Sequence, residues 1–248
     1  MSALPNKKDR ADKVLVARGH FDSRAAAQAA IAAGRVRVGK RVIAKASEKI
    51  SVDADITAEA AHPYVSRAGL KLAHAFDVFG VDPRGWHCLD IGASTGGFTQ
   101  VLLELGAGSV VAVDVGHGQL HQRVAGDARV TALEGTDARA LTLADIGQAP
   151  KLIICDASFI SLRKLLAVPL SLAADQALLV ALFKPQFEVG RSHVGKGGIV
   201  RNEDAALAAE TEFVAWLAEQ GWRVEAQTDS PIKGGDGNAE RLVFAVRN

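Results

Sequence analysis

CLDIGASTGGF, residues 88–98, carries a short apolar strand straight into a glycine turn and out into the helix FTQVLLELG. Strand, glycine turn and helix in that order build a nucleotide- or nucleoside-binding α/β unit, because the glycines let the backbone turn sharply beside a ligand. Asp114 ends the next strand, 22 residues after Gly92, where a carboxylate accepts hydrogen bonds from ribose hydroxyls. The middle glycine of the dinucleotide pattern, which admits a pyrophosphate, is Ser94 here, and Asp90 precedes the turn, placed to face an ammonium group. Both departures favour S-adenosylmethionine, which has no phosphate, over a nicotinamide dinucleotide. The expected cofactor contacts are Asp90, Gly92, Ser94, Thr95, Gly96, Gly97, Phe98 and Asp114. Asp137, after the third strand, is assigned to the adenine, and Phe159 to the cofactor or a flipped nucleotide.

Outward from this turn the chain alternates strands and helices. Strands are expected near 86–91, 110–114, 130–133, 152–155 and 178–183, a long helix over 203–219 capped by Asn202 and closed by Gly221, and a final strand over 242–246. Repeated β-α units predict an α/β fold with a doubly wound, Rossmann-like sheet. Upstream, Leu72, Phe76 and Phe79 fall at helical spacing, with Ser66 as the expected cap, Gly80 as the stop and Lys71 off the apolar stripe.

The first part of the chain differs in kind. Two short helices (10–19 and 23–33, the second capped by Ser23 and ended by Gly34) precede a hairpin in which Val36, Val38 and Val42 alternate around Gly39-Lys40. Residues 1–49 hold twelve Lys/Arg against four Asp/Glu, and residues 50–248 hold seventeen against twenty-four. A basic module joined to an acidic one points to a polyanionic partner for the first part; a charged solvated face is the plain alternative. Arg24, Arg35, Arg37, Lys40 and Arg41 are the cations placed to follow a phosphate backbone. The expected division is a small α+β RNA-binding domain over 1–61, a connector over 62–69 and a methyltransferase domain over 70–248.

The two cysteines, Cys88 and Cys155, each sit in an apolar run and read as buried thiols of a reducing compartment. No zinc-type Cys/His spacing occurs, so no metal is expected. With neither a leader-like apolar run after Lys7, Lys8 and Arg10 nor a stretch of about 18 apolar residues, a cytoplasmic protein that does not enter membranes is expected.

Asp156 and Lys184 end the fourth and fifth strands, at the sheet edge where α/β folds hold ligands. Glu240 reaches the same edge if the last strand is antiparallel, and Lys71 joins them if its helix covers the pocket. Singly, Lys71 and Glu240 read as surface charges; together the four read as a reaction centre. Position 156–159 reads Asp-Ala-Ser-Phe rather than the Pro-Pro-aromatic run of exocyclic-amine methylation. Cys155 points away from Asp156 by strand alternation, which disfavours cytosine-carbon chemistry. The glycine-rich basic stretch 184–201 (KPQFEVGRSHVGKGGIVR) reads as an RNA-contacting lid or a plain surface loop, with Arg191 and Lys196 as its RNA contacts and Arg67 as a further one.

SRAAAQAAIAAGRVRVGKRV, residues 23–42, resembles the small RNA-binding module found in a ribosomal protein and in pseudouridine synthases, with Ala11 where a core leucine is usual. Lys71 in VSRAGLKL, Asp156 in CDASFISL, Lys184 in LFKPQFEVG and Glu240 in SPIKGGDGNAERLVF resemble the Lys-Asp-Lys-Glu tetrad of FtsJ-like ribose 2′-O-methyltransferases. Through GASTGGFT, DVGHGQL, KPQFEVG and VGKGG the whole chain is similar to the TlyA family, often labelled haemolysin A. The resemblance implies methyl transfer from S-adenosylmethionine to cytidine 2′-hydroxyls of ribosomal RNA or ribosomal subunits, with the large subunit favoured because the chain stops soon after its last strand. A lysine of ordinary pKa, about 10.4, is mostly charged at neutral pH, and burial or a neighbouring cation is needed to free its lone pair. Lys184 is the expected base, Asp156 its orienting partner, Lys71 the group that steadies the alkoxide and Glu240 the holder of the lysines. The rival readings are a non-catalytic RNA-binding assembly factor and a haemolytic pore, the second requiring membrane-inserting segments.

Overall fold

Two units divide the chain, Met1–Pro63 and Tyr64–Asn248; the computed structural model describes residues 7–247. Residues 1–6, where the search for a leader begins, and residue 248 lie outside the described residues.

The first unit runs β1 (Lys8–Arg10), α1 (Ala11–Ala17), α2 (Arg24–Ala32), β2 (Val36–Val38), β3 (Arg41–Val42), β4 (Lys49–Ser51) and β5 (Ile56–Ala58). Ser23 caps α2 by accepting the Ala26 N–H at 3.2 Å. The hairpin β2–β3 forms as expected, and β5 joins the free side of β2 while β1 pairs with β4. These last pairings were invisible in strands only three residues long. Ala11, Leu15, Ala27, Ala30, Val36 and Ile43 are wholly buried. Asp12, buried beside them, accepts from Arg10, Arg24 and Gln28, and the Arg10 guanidinium, with Arg24 and Gln28, holds its carboxyl well below the usual range.

The second unit begins with α3 (Ala68–Phe79), then β6 (His87–Ile91), α4 (Gly97–Glu104), β7 (Ser109–Asp114), α5 (Gln122–Ala125), β8 (Val130–Glu134) and α6 (Leu143–Ile146). It continues with β9 (Leu152–Cys155), α7 (Leu162–Ser171), β10 (Ala177–Phe183), α8 (Pro185–Glu188), α9 (Glu203–Glu219), β11 (Arg223–Asp229) and β12 (Arg241–Arg247). The seven strands lie in the order β11-β12-β10-β9-β6-β7-β8. β10 to β8 are parallel, whereas β12 runs antiparallel to both β10 and β11.

Parallel strands covered on both faces need near-continuous apolar runs, which LIIC (152–155) and ALLVALF (177–183) supply. Alternation divides them between two cores. Leu89, Ile91, Ile153 and Leu179 pack with Phe213, Leu217 and Trp222 on the α9 face. Cys88, Ile154, Val180 and Leu182 pack with Leu72, Phe76 and Leu102 on the α3–α4 face. Phe213 is fully buried, so Phe213→Ala costs about 3–5 kcal/mol.

Ser66 does not cap α3. The N-cap is Arg67, in helical conformation and with no side-chain cap bond. A Cβ on Gly97 would come within 2.2 Å of the Ser66 hydroxyl, so the bare glycine is what allows the start of α4 to approach the start of α3.

Candidate functional site

The strand order reverses at β6, whose neighbours are β7 and β9, and such a switch point leaves a crevice beyond the carboxyl ends of the strands. Gly92 leaves β6 at φ +79, where a Cβ would lie 3.0 Å from the Asp156 carbonyl and the Ala157 backbone. Two cavities meet here, sharing Gly92, Ser94, Asp156, Ser158 and Phe159.

The larger, about 600 Å³, is walled by Ile91, Val113, Val115, Ala138, Ile160 and Leu165, with Asp114 and Asp137 at its edge. The Asp114 carboxylate accepts the Ser94 N–H at 2.9 Å and the Gly116 N–H at 2.7 Å, which fixes its orientation and leaves its remaining lone pairs for a ligand. Asp137 is engaged by Arg139 at 2.5 Å, and that guanidinium holds its carboxyl down at about 2.

Asp90, Gly96 and Gly97 do not line either cavity. Asp90 is wholly buried; one oxygen accepts the Thr99 hydroxyl at 2.6 Å, and the other, Oδ1, has no partner. Burial pushes its carboxyl up to about 7, despite the Thr99 hydrogen bond.

The smaller cavity, about 410 Å³, brings Lys71, Asp156, Lys184 and Glu240 together from α3, β9, β10 and β12, with Thr95, Phe98 and Arg67 also on its wall. Two ion pairs form: Lys71 Nζ to Glu240 Oε2 at 2.6 Å, and Lys184 Nζ to Asp156 Oδ1 at 2.6 Å. Glu240 thus holds Lys71 and not both lysines. Lys184 also donates to the Ser158 hydroxyl at 2.9 Å. All four side chains are at most 14% exposed, although they border open space. Cys155, one residue from Asp156, is buried in the α9-side core, with burial pushing its thiol up to about 12.

Phe159 stands between the cavities, 92% exposed, in the left-handed backbone region at φ 68, with its ring 5.3 Å from that of Phe187. A bulky residue in that conformation is strained.

Of the cations read as RNA contacts, Arg24 is committed to Asp12, Arg35 to Glu59 and Arg41 to Glu48. Among the described residues Arg37, Lys40, Arg67, Arg191 and Lys196 are exposed and make no ion pair. The segment carrying Arg191 and Lys196 is not a free loop. Asn238 accepts the Val200 N–H and donates to the Gly198 carbonyl, both at 2.9 Å.

Sequence reasoning passed over Ser158, Asn238 and Lys233, the last of which lines the smaller cavity. A serine three residues past a strand carries no periodic signal. Among the described residues no group of three His, Cys, Asp or Glu side chains is placed to hold a metal ion, and no helix is long and apolar enough to cross a membrane.

Comparison with known proteins follows the same division. The FtsJ-like methyltransferase family matches residues 64–247, and the S4 domain matches residues 9–56. The 16S/23S rRNA (cytidine-2′-O)-methyltransferase TlyA of Mycobacterium tuberculosis is 40% identical over 240 residues, covering 96% of this chain and 90% of its own. The 23S rRNA (cytidine-2′-O)-methyltransferase TlyA of Campylobacter jejuni is 40% identical over 186 residues, covering 75% of this chain and 72% of its own. A solved structure described as a hemolysin, from Streptococcus thermophilus, superposes with a TM-score of 0.77 at 36% identity, covering 98% of this chain and 90% of that one.

Proposed function

This chain belongs to the TlyA group of FtsJ-like methyltransferases, and from that premise we propose that it transfers a methyl group from S-adenosylmethionine to a cytidine 2′-hydroxyl of ribosomal RNA. The observation that carries the reading is the pair of buried ion pairs, Lys71–Glu240 and Lys184–Asp156, in one cavity that opens onto a nucleoside-sized one.

The larger cavity fits the cofactor. Its apolar walls suit an adenine and Asp114 suits the ribose hydroxyls, while bare Gly92 lets the turn lie against the Asp156–Ala157 backbone. The unpartnered Oδ1 of Asp90 lies outside both cavities, so a contact with the positive end of the cofactor runs through a bridging water. When bound, S-adenosylmethionine supplies a methyl group on a sulfonium that leaves with the bonding electron pair.

A ribose hydroxyl is a weak acid, so this chain must remove its proton as the oxygen attacks. A neutral lysine amine has two N–H donors and one lone pair. At Lys184 two acceptors are present, Asp156 and Ser158. Once the ammonium has given one proton to solvent, its two remaining N–H groups stay on these acceptors, and the freed lone pair takes the ribose proton. Lys71, held by Glu240, supplies a fixed positive charge for the developing alkoxide.

The S4 unit supports binding to ribosomal RNA or ribosomal subunits, with Arg37 and Lys40 among its cations that make no ion pair among the described residues. Catalysis on such a substrate belongs to the cytoplasm. The large-subunit RNA is the narrower reading, supported by the Campylobacter relative's 23S name; the Mycobacterium relative is named for both subunits.

The test is transfer of labelled methyl from S-adenosylmethionine to each ribosomal subunit lacking the modification, with product mapped by reverse-transcription stops. Label on a large-subunit cytidine 2′-oxygen is expected, and Lys184→Ala abolishes it. Absence of label on either subunit and on free RNA, with cofactor binding intact, refutes the reading.

A further inference from the structure

Beside the reaction cavity lies a separate cleft of about 530 Å³ that shares Phe159, Gln186 and Phe187 with it. Its charged lining is wholly cationic: Arg139, Lys164 and Arg191, with no carboxylate. The acid on the same segment, Glu188, does not line it and is already engaged. Glu188 accepts the Leu162 N–H at 2.7 Å and the Ser161 hydroxyl at 2.8 Å, so its charge is spent tying α8 to the start of α7. Arg139 is engaged by Asp137, but Lys164 and Arg191 are exposed and make no ion pair among the described residues.

Three features define what such a cleft takes. Two unpaired cations without a competing acid favour an anion. The Phe187 ring, tilted at 52° to that of Phe159, offers an apolar face of the kind on which nucleobases stack. The shared wall means that whatever polymer places a ribose at Lys184 must continue out of the reaction cavity, and this cleft is a cationic route for it.

We infer that the cleft is a second nucleotide subsite, holding the nucleotide next to the methylated one, with its phosphate on Lys164 and Arg191 and its base against Phe187. The inference rests on the RNA-methyltransferase reading above. An acidic protein segment would satisfy the two cations but would leave the aromatic face and the continuity with the ribose site unused.

The experiment uses the full chain carrying Lys164→Glu with Arg191→Glu, and separately Phe187→Leu. Lys151→Glu with Arg123→Glu serves as a control that changes net charge equally outside the cleft. RNA affinity is measured against salt on unmodified ribosomal RNA, together with methyl-transfer kinetics and S-adenosylmethionine binding. Each phosphate contact contributes a slope of about 0.7 to the log–log salt dependence for single strands. The cleft double variant is therefore expected to lower the slope by about 1.4, and to raise KM for RNA tenfold or more. Cofactor affinity should stay the same. Phe187→Leu should raise KM with the salt slope unchanged. An unchanged slope and KM in the cleft variant, or an equal fall in the control, overturns the inference, as does equal competition by an acidic peptide. These outcomes are read from RNA binding, so they are distinct from failure of the parent reading, in which the wild type itself transfers no methyl to RNA.

Discussion

One ion pair from each unit shows how alike two pairs can be chemically and how opposite physically. Arg35 and Glu59 meet at 3.2 Å with 57% and 67% of their side chains exposed, whereas Lys71 and Glu240 meet at 2.6 Å with 10% and 3% exposed. Exposed pairs gain little, because water screens them and two long side chains must be ordered; about 0–1 kcal/mol is typical. A buried pair loses hydration on both partners, and its attraction does not repay that loss reliably. Two such pairs in one cavity are therefore poor devices for stability. Their placement makes sense as chemistry, with charges held at fixed positions before the substrate arrives.

This contrast is sharpened first at Lys184. Replacing it by Ala should lower kcat by about 10²–10⁴-fold, the range for a general base, with cofactor affinity retained by direct titration. A surface-type role would leave kcat intact.

Next in size is the Lys71–Glu240 pair. Lys71→Met alone leaves a buried carboxylate without its cation and is expected to cost about 3 kcal/mol. The double change Lys71→Met with Glu240→Leu should recover most of that in chemical denaturation while activity stays lost. If the double variant is as unstable as the single one, the pair is not primarily a catalytic device.

Ser158→Ala removes one of the two acceptors on Lys184 and is expected to lower kcat about tenfold, equivalent to ~1.4 kcal/mol, with both KM values unchanged. Ser158→Thr keeps the hydroxyl and should restore the rate. A rise in the cofactor KM instead would mean that the serine serves the neighbouring cavity.

Asp90 gives a pH signature. Its carboxyl is pushed up to about 7 in the fold, chiefly by burial, against about 3.9 in an unfolded chain. Between those values the folded state holds more protons than the unfolded one, so this group makes stability fall as pH rises from about 4 to about 7, with no further loss above. Asp90→Asn should flatten that part of the denaturation profile; an unaltered slope would show that Asp90 is ionised in the fold. Smallest of all, Arg35→Ala should change stability by less than about 0.5 kcal/mol.

The glycine turn, the parallel strands, Asp156 and Lys184 were legible because each depends on a strong local signal: uninterrupted apolar runs, glycines in a fixed order, charges at strand ends. Lys71 and Glu240, singly like surface charges, were legible only beside the other two and through the resemblance to the tetrad. β11 was not. Its RVEAQTD places charged residues on a strand that pairs on one side only, with β12, so little apolar alternation marks it. Ser66 reads as a cap because serine before a helix usually is one, yet α3 has no side-chain cap bond and the Ser66 hydroxyl lies beside Gly97 at the start of α4. Likewise Arg24, which reads as an RNA contact, is bound to a buried carboxylate twelve positions away, and a pairing of that kind has no sequence period.

β12 follows both β10 and β11 in the chain but lies between them in the sheet, and it positions Glu240 against a lysine 169 residues earlier. During synthesis the nascent chain emerges N-terminus first, so the RNA-binding unit and the glycine turn exist before this strand does. Until it inserts, β10 and β11 each present an unpaired edge, and Lys71 lacks its carboxylate. A shortened translation product ending before β12 would be an aggregation hazard and catalytically silent. The wiring of the sheet thus ties the Lys71–Glu240 contact to the arrival of the strand made last of the seven.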